Sequence, residues 1–231
     1  MRDRVRAREL AAEFNKKGDP TGWFEQLYRE GEAGKSVVPW ADLRPNSHLL
    51  DFWKLHPLET AGKTALVIGS GFGDDAQQLA AWGFQTTAFD ISETAIRAAN
   101  KRFSTHEESA RVPVKYEVAN LLDPPSTWHR RFDFVLEIFT LQALPAAIRP
   151  IAIKNVAQFV SPGGFLLVIA RGRELTDPEG QMPWPLTREE LAAFATHGLT
   201  ELLFHDYLDP DDPPERRFRV LYQLPHATHQ A

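Results

Sequence analysis

The 231-residue sequence contains no cysteine, which excludes disulfide bridges, thiolate metal sites and a cysteine nucleophile. It also has no apolar run close to the roughly 20 residues that a membrane-spanning helix needs. Basic residues are not in excess, because 31 acidic residues face 26 lysines and arginines and the net charge is −5. We therefore expect no membrane partner and no broad contact with a nucleic-acid backbone.

The N-terminal stretch MRDRVRARELAAEF carries arginines but lacks the apolar core of a secretory signal. It predicts a solvated helix, and a cytoplasmic protein is the simplest interpretation. The eight histidines are scattered at positions 48, 56, 106, 129, 197, 205, 226 and 229. None has metal-ligand spacing to a carboxylate partner, so we expect no metal site. The sequence does not distinguish a monomer from a homodimer.

From residue 64 onward, apolar runs alternate with helical patterns. The runs predict strands over 64–69, 84–90, 114–120, 131–139, 164–171, 200–208 and 217–225. The intervening patterns predict helices over 74–83, 92–103, 146–160 and 187–198. This alternation indicates an α/β fold, a Rossmann-like and mostly parallel seven-stranded sheet with helices on both faces. The last strand follows a turn-rich loop too short for a crossover helix, so we expect it to pair antiparallel.

We expect a single domain over residues 1–231, in which 61–231 form the sheet core. Residues 1–60 do not follow the alternation and are rich in aromatic side chains. We interpret them as a helical extension that packs on the carboxyl edge of the sheet, and we call residues 1–60 the N-terminal cap.

A glycine-rich turn follows the first predicted strand, in the order Gly69-Ser70-Gly71-Phe72-Gly73. Glycines there let the backbone turn tightly and approach a ligand without a Cβ in the way, beyond the carboxyl ends of the strands. A dinucleotide fingerprint would place its third glycine at position 74, which is Asp74. A carboxylate at a helix start also opposes a pyrophosphate, so a ligand without phosphates fits better.

Two polar residues close the next strands. Asp90 ends the second strand, where a carboxylate can accept hydrogen bonds from both hydroxyls of a ribose, although it can also cap the following helix. Asn120 closes the third strand, where its amide can pair with an adenine amine while Leu121 packs on the ring; an ordinary turn asparagine is the alternative.

Together these residues resemble class I S-adenosylmethionine-dependent methyltransferases from residue 60 to 225. Within that class the chain resembles the thiopurine S-methyltransferase-like group, which includes thiol and methyl halide methyltransferases. The resemblance lies in the stretches WFEQLYREG (23–31), VPWADLRPNSHLLDFW (38–53), GSGFGDD (69–75), FDIS (89–92) and EIFTLQALP (137–145). It implies S-adenosylmethionine as the cofactor and a cap that closes over it and shapes the acceptor pocket.

The resemblance also implies a set of cofactor-binding residues. They are Phe24, Tyr28, Trp40, Gly69, Ser70, Gly71, Gly73, Asp90, Ile91, Asn120, Leu121 and Glu137. Glu137, at the end of the fourth strand, either binds the methionine moiety or acts as a base, and Tyr28 is a second catalytic candidate. A purely structural glutamate is the alternative for Glu137.

The acceptor is expected to meet Trp40, Trp184, Arg171 and Arg173. The arginines follow the fifth strand and either hold an anionic acceptor or are simply solvated. The segment 172–187 has the length and stiffness of a lid, and Trp184 lies within it.

The leading hypothesis is a methyltransferase that acts on a small nucleophile, with a thiol or another soft atom expected. An oxygen or nitrogen acceptor of a small metabolite, a nicotinamide-dependent oxidoreductase and a non-catalytic S-adenosylmethionine-binding protein are the alternatives.

Overall fold

The computed structural model describes residues 4–104, 113–210 and 213–226. The chain divides into two compact units. The first unit consists of the described residues of Met1–Gly62 and Gly69–Asn120, and the second consists of those of Lys63–Ile68 and Leu121–Ala231. Part of the predicted turn before the last strand, Asp211 and Asp212, lies outside the described residues.

The α-helices are α1 (Val5–Lys16), α2 (Gly22–Glu32), α3 (Ser47–Leu55), α4 (Asp74–Ala81), α5 (Glu93–Phe103), α6 (Arg149–Phe159) and α7 (Arg188–Ala192). Short 3₁₀ turns cover Ser126–Trp128, Leu141–Ala143 and Ala193–His197. The strands are β1 (Thr64–Ile68), β2 (Gln85–Asp90), β3 (Lys115–Val118), β4 (Phe132–Ile138), β5 (Val160–Arg171), β6 (Thr200–Leu208) and β7 (Arg216–Gln223).

Within the described residues the strands form one seven-stranded sheet in the order β3-β2-β1-β4-β5-β7-β6. β2 pairs parallel with β3, and β4 pairs parallel with β1 and β5. β7 pairs antiparallel with both β5 and β6. The predicted Rossmann-like sheet with an antiparallel last strand is therefore confirmed, and N-terminal helices precede it.

In the first unit, helix α4 buries an apolar face that consists of Ala76, Leu79 and Ala80. Helix α5 begins after Ser92, whose hydroxyl oxygen accepts a hydrogen bond from the Ala95 backbone N–H at 3.0 Å. Such a cap satisfies one of the backbone donors that every helix start leaves without a partner. It confirms the predicted start of this helix.

In the second unit, Thr187 and Glu190 form a capping box, in which each side chain accepts from the other residue's backbone N–H. The helix that they start is shorter than predicted, because α7 ends at Ala192 and a 3₁₀ turn continues to His197. Gly198, at φ +88°, then ends the segment.

The SPGG sequence at 161–164 lies between the predicted helix over 146–160 and the predicted strand over 164–171. Helix α6 ends before it, as expected, but 161–164 belong to β5. The pairing with β4 shifts register across this segment, from Phe132–Val160 to Phe134–Phe165. Gly163 has a φ of +82° and its N–H donates to the Leu224 carbonyl at 2.7 Å, so glycine permits a bulge here.

Across the described ranges, no helix is long and apolar enough to cross a membrane.

Candidate functional site

The glycine turn of the first unit joins β1 to α4. Gly69, Gly71 and Gly73 all have positive φ, at 60°, 53° and 87°. Gly73 is the N-cap of α4, and its N–H donates to the Ser70 carbonyl at 2.9 Å. Residues with a Cβ rarely adopt this left-handed backbone, so the turn requires glycine at these positions.

Two tyrosines lie against this turn. A Cβ added at Gly71 would lie 3.0 Å from the Tyr28 hydroxyl oxygen, and one at Gly73 would lie 2.4 Å from that of Tyr116. The turn therefore has no room for larger side chains. The Ser70 hydroxyl is buried and has no hydrogen-bond partner among the residues that the structure describes. A buried polar atom without a partner is unusual and is a candidate for contact with a ligand.

Asp90 is the last residue of β2 and is only 5% exposed. Its Oδ2 accepts a hydrogen bond from the Gly71 N–H, and its Oδ1 accepts one from the Ser92 N–H, both at 2.9 Å. Burial raises the pKa of Asp90 to about 6, and the backbone donors offset only part of that rise. Each carboxylate oxygen can accept a second hydrogen bond, so Asp90 retains capacity for two more donors.

Asp74, at the start of α4, forms a paired salt bridge with Arg102. The two N–O distances are 2.8 and 2.9 Å, and the same guanidinium donates to the Phe72 carbonyl at 2.9 Å. The charge of Asp74 is thus largely compensated. Asp74 would therefore repel a pyrophosphate less than the sequence indicated. The absence of a glycine at position 74 still counts against a dinucleotide fingerprint.

An aromatic cluster from the N-terminal cap lies beside the glycine turn. The Trp40 indole N–H donates to the Tyr28 hydroxyl oxygen at 2.8 Å, and the Tyr28 and Phe72 ring centroids are 5.3 Å apart. Phe24 stacks on Trp23 at 3.9 Å and meets Trp40 edge-on at 6.2 Å. The structure thus brings together the three predicted aromatic residues of the cap.

The residues of this cluster differ in exposure. Tyr28 is buried, and burial, followed by the nearby charge of Asp90, raises its pKa well above its ordinary value. Trp40 is 37% exposed, so it presents part of its ring to solvent. Phe72, which the sequence did not single out, joins the cluster from within the glycine turn, and its place in the motif was the available signal.

In the first unit, Ile91 follows β2 and Asn120 follows β3, and both residues are partly buried. The Ala119 N–H donates to the Asp90 carbonyl at 3.0 Å, which holds the two strand ends together. Asn120 therefore lies near the turn that carries Asp90. Its proposed contact with adenine stays a prediction.

In the second unit, Leu121 is nearly buried and its carbonyl accepts a hydrogen bond from the Asn155 side chain at 2.8 Å. This contact fixes the backbone just after β3. Whether the Leu121 side chain packs on a ligand ring stays a prediction.

Glu137 is the penultimate residue of β4 and is fully buried. Its Oε1 accepts hydrogen bonds from the backbone N–H groups of Thr140 at 2.7 Å and Leu141 at 3.0 Å. Phe139, at φ +63°, makes the tight turn that brings these donors back to the carboxylate. Burial raises the pKa of Glu137 to about 7, against the effect of the two donors. In the described part of the chain, Oε2 has no hydrogen-bond partner.

The two predicted acceptor arginines hold the lid-like segment. Arg171 donates to the Pro183 carbonyl at 3.1 Å and pairs with Glu215 at 2.9 Å. Arg173 donates to the Pro185 carbonyl at 3.2 Å and to the Asp177 carbonyl at 3.0 Å. These contacts give the arginines a structural task that the sequence did not indicate, and their role toward an acceptor stays a prediction.

Trp184 lies in the same segment and is partly buried. Its backbone N–H donates to the Gln142 carbonyl at 2.7 Å, and the Arg149 guanidinium lies 5.6 Å from its ring centroid. The Gln142 side-chain oxygen also accepts from the Arg171 backbone N–H at 2.7 Å. Gln142, which the sequence analysis missed, therefore fixes both ends of the lid-like segment.

Among the described residues, no group of three or more histidine, aspartate or glutamate side chains is arranged to hold a metal ion. His106 and His229 lie outside those residues.

Comparisons with known proteins complete this picture. Residues 66–166 match the family model described as a methyltransferase domain. The chain is 26% identical to "Probable thiol methyltransferase 2" from Arabidopsis thaliana over 168 residues, which cover 71% of this chain and 67% of the relative. The nicotinamide-dependent oxidoreductase alternative finds no support in these matches.

Two solved structures establish the fold. One comes from work on the conversion of a disulfide bond into a thioacetal group during echinomycin biosynthesis. It has a TM-score of 0.69 at 18% identity and covers 89% of this chain and 93% of its own. The other is the N-methyltransferase NodS from Bradyrhizobium japonicum, with a TM-score of 0.66 at 18% identity, covering 87% and 100%. The family match over residues 66–166 lies inside this Rossmann-like fold, and together they support an S-adenosylmethionine-dependent methyltransferase.

Proposed function

We propose that the enzyme methylates a small molecule at a soft nucleophile, with a thiol as the expected acceptor. The observation that carries this proposal is the aromatic cluster of the cap, in which Tyr28 contacts both Trp40 and Phe72 of the glycine turn. Such a cluster suits a small, poorly hydrated acceptor better than a charged polymer. The similarity to a probable thiol methyltransferase supports the same acceptor class.

Several features of the first unit support the binding of S-adenosylmethionine there. The turn of Gly69, Gly71 and Gly73 is a cradle that a Cβ would fill, and the buried Ser70 hydroxyl lacks a partner in the described chain. Asp90 retains acceptor capacity for two ribose hydroxyls. We propose that these residues hold the ribose and methionine portions of the cofactor.

The remaining members of the first unit complete the assignment. We propose that Ile91 and Asn120 contact the adenine, because both follow strand ends beside Asp90. Phe24, Tyr28 and Trp40 would cover the cofactor from the cap and exclude water. Tyr28 accepts a hydrogen bond from Trp40, so its own O–H can donate to a ligand.

For the second unit we propose that Glu137 contacts a ligand through Oε2, the oxygen without a partner within the described residues. A buried carboxylate suits the ammonium group of a methionine moiety. Leu121 would pack on the adenine, and Trp184 would line the acceptor pocket. Arg171 and Arg173 would then act mainly by holding the segment that carries Trp184.

The chemistry asks little of the protein beyond alignment. S-adenosylmethionine supplies an electrophilic methyl carbon on a good leaving group. The chain must place the acceptor in line with that carbon and keep water out. A thiolate is populated near neutral pH and is strongly nucleophilic, so it needs no general base.

An oxygen or nitrogen acceptor is the second candidate, and one observation favours it. The pKa of Glu137 is raised to about 7, which suits a general base near neutral pH. In that case Glu137 would take the proton of a hydroxyl or an amine. The two candidates therefore differ in their need for the carboxylate.

An acceptor panel tests the proposal. Thiol, hydrosulfide, halide, hydroxyl, carboxylate and amine acceptors are each incubated with S-adenosylmethionine, and formation of S-adenosylhomocysteine is measured for the wild type and for Glu137→Gln. We expect turnover of thiols by both proteins. Turnover of only hydroxyl, carboxylate or amine acceptors would overturn the thiol proposal. Loss of that turnover in Glu137→Gln, with the Kd of S-adenosylhomocysteine unchanged, would establish the base.

A further inference from the structure

Glu25 connects the cap to the turn after β2. It lies in α2, is partly buried, and accepts hydrogen bonds from three donors of the segment that starts α5. These donors are the Ser92 hydroxyl at 2.6 Å, the Thr94 N–H at 3.1 Å and the Thr94 hydroxyl at 2.8 Å. Glu25 is thus hydrogen-bonded to Ser92, which lies 67 positions further along the chain, and to Thr94, which lies 69 positions further.

The environment of Glu25 stabilises its charged form. Burial alone would raise its pKa, but the hydrogen bonds from Ser92 and Thr94 outweigh this effect and lower the pKa below its ordinary value. Hydrogen bonds to a charged acceptor are roughly twice as strong as those between neutral groups. The contact is therefore stronger than a typical surface pair such as Glu32–Arg97, which is exposed on both sides.

Ser92 links Glu25 to Asp90. Its N–H donates to Asp90 Oδ1 at 2.9 Å, while its hydroxyl donates to Glu25 Oε2 at 2.6 Å. A displacement of Glu25 would therefore release the residue that orients Asp90. The charge of Glu25 also contributes to the raised pKa of Asp90, so the two carboxylates lie within electrostatic reach of each other.

Glu25 also fixes the aromatic cluster. Tyr28 lies three residues further along α2, so the two side chains share a helix face. Anchoring Glu25 on the start of α5 sets the rotation and register of α2. This register places the Tyr28 hydroxyl beside Gly71, where an added Cβ would approach it to 3.0 Å.

We propose that Glu25 is a positioning residue of the cofactor site, which holds helix α2 on the turn after β2 and thereby sets the places of both Tyr28 and Asp90. In this role Glu25 would contact neither the cofactor nor the acceptor. This inference rests on the proposed roles of Asp90 and Tyr28 toward S-adenosylmethionine.

The experiment compares Glu25→Ala with Glu32→Ala in the full-length protein. Glu32 is a matched control, because it also joins α2 to α5, through Arg97 at 2.9 Å, but on the exposed surface. Calorimetry measures the Kd of S-adenosylhomocysteine, and steady-state kinetics measure KM for the donor and kcat. For Glu25→Ala we expect Kd and donor KM to rise about tenfold, the loss of one charged hydrogen bond, with kcat within about threefold of wild type. For Glu32→Ala we expect Kd within about twofold, as for an exposed pair.

Conservative variants separate positioning from folding. Glu25→Gln keeps an acceptor oxygen for the Thr94 N–H and gains donors for a hydroxyl, so it should recover most of the affinity. Thr94→Val removes one hydroxyl donor at nearly constant shape and should weaken binding in the same direction. If Glu25→Ala does not fold, Thr94→Val decides the question, and wild-type affinity in that variant would overturn the proposal.

Asp90→Ala is measured in parallel so that the two levels of the argument are distinguished. Wild-type affinity in a folded Asp90→Ala would overturn the proposed cofactor contact of Asp90 itself. Weakened binding in Asp90→Ala together with wild-type Kd and KM in Glu25→Ala would overturn only the positioning role of Glu25.

Discussion

The buried carboxyl of Glu137 should make the stability of this protein fall as the pH rises from about 4.5 to about 7. Its folded-state pKa is raised from 4.5 to about 7 because burial disfavours the charged form. The folded state therefore holds its proton more tightly than the unfolded chain, and it loses stability as the pH passes through this window. A rise of about 2.5 pKa units corresponds to about 3 kcal/mol of unfolding free energy.

Glu137→Gln isolates this contribution. The amide oxygen can still accept from Thr140 and Leu141, but the side chain no longer titrates. Unfolding free energies are measured by urea denaturation for both proteins between about pH 4.5 and pH 8. We expect the variant to gain about 3 kcal/mol relative to the wild type across this range. Other buried carboxyls, such as Asp75 and Asp90, are common to both proteins and cancel in the difference. A difference that does not change with pH would refute the raised pKa of Glu137.

Three further predictions concern the glycine turn, the cofactor and the reaction. Gly73→Ala should destabilise the protein more than Gly34→Ala in thermal unfolding, because both have positive φ but only Gly73 also meets Tyr116; the left-handed strain alone costs about 1–2 kcal/mol. The affinity for S-adenosylhomocysteine, measured by calorimetry, should fall as the pH drops through about 6, where Asp90 takes up a proton, and Asp90→Asn should flatten this dependence. Thiol methylation should persist in the presence of a chelator, and its loss would contradict the metal-free mechanism.

The architecture was predictable because it is expressed in local patterns. The alternation of apolar runs and helical patterns predicted the sheet, and the short turn before the last strand predicted that this strand pairs antiparallel, as it does with β6. The glycine turn was predictable for a similar reason, since positive φ at Gly69, Gly71 and Gly73 is a property of single residues. Caps such as Ser92 depend only on neighbours in the chain.

Long-range side-chain pairings were not predictable. Tyr116 lies against Gly73 from 43 residues away, and Glu25 reaches Ser92 across 67 residues. Both contacts depend on the register between elements, which local periodicity does not specify. The burial that raises the pKa of Glu137 is likewise a property of the folded core.

The arginines after β5 show how such pairings bear on the acceptor. From sequence, Arg171 and Arg173 are cations that could clamp an anionic acceptor. In the structure, Arg171 is paired with Glu215. The side chains of Arg171 and Arg173 both donate to carbonyls of the segment that carries Trp184. An acceptor carboxylate would have to compete with these partners, and Glu215 is held in place by a second ion pair with Arg217 at 2.7 Å. This arrangement disfavours an acceptor carboxylate clamped by the two arginines, and it agrees with the proposal of a small acceptor that packs against aromatic side chains.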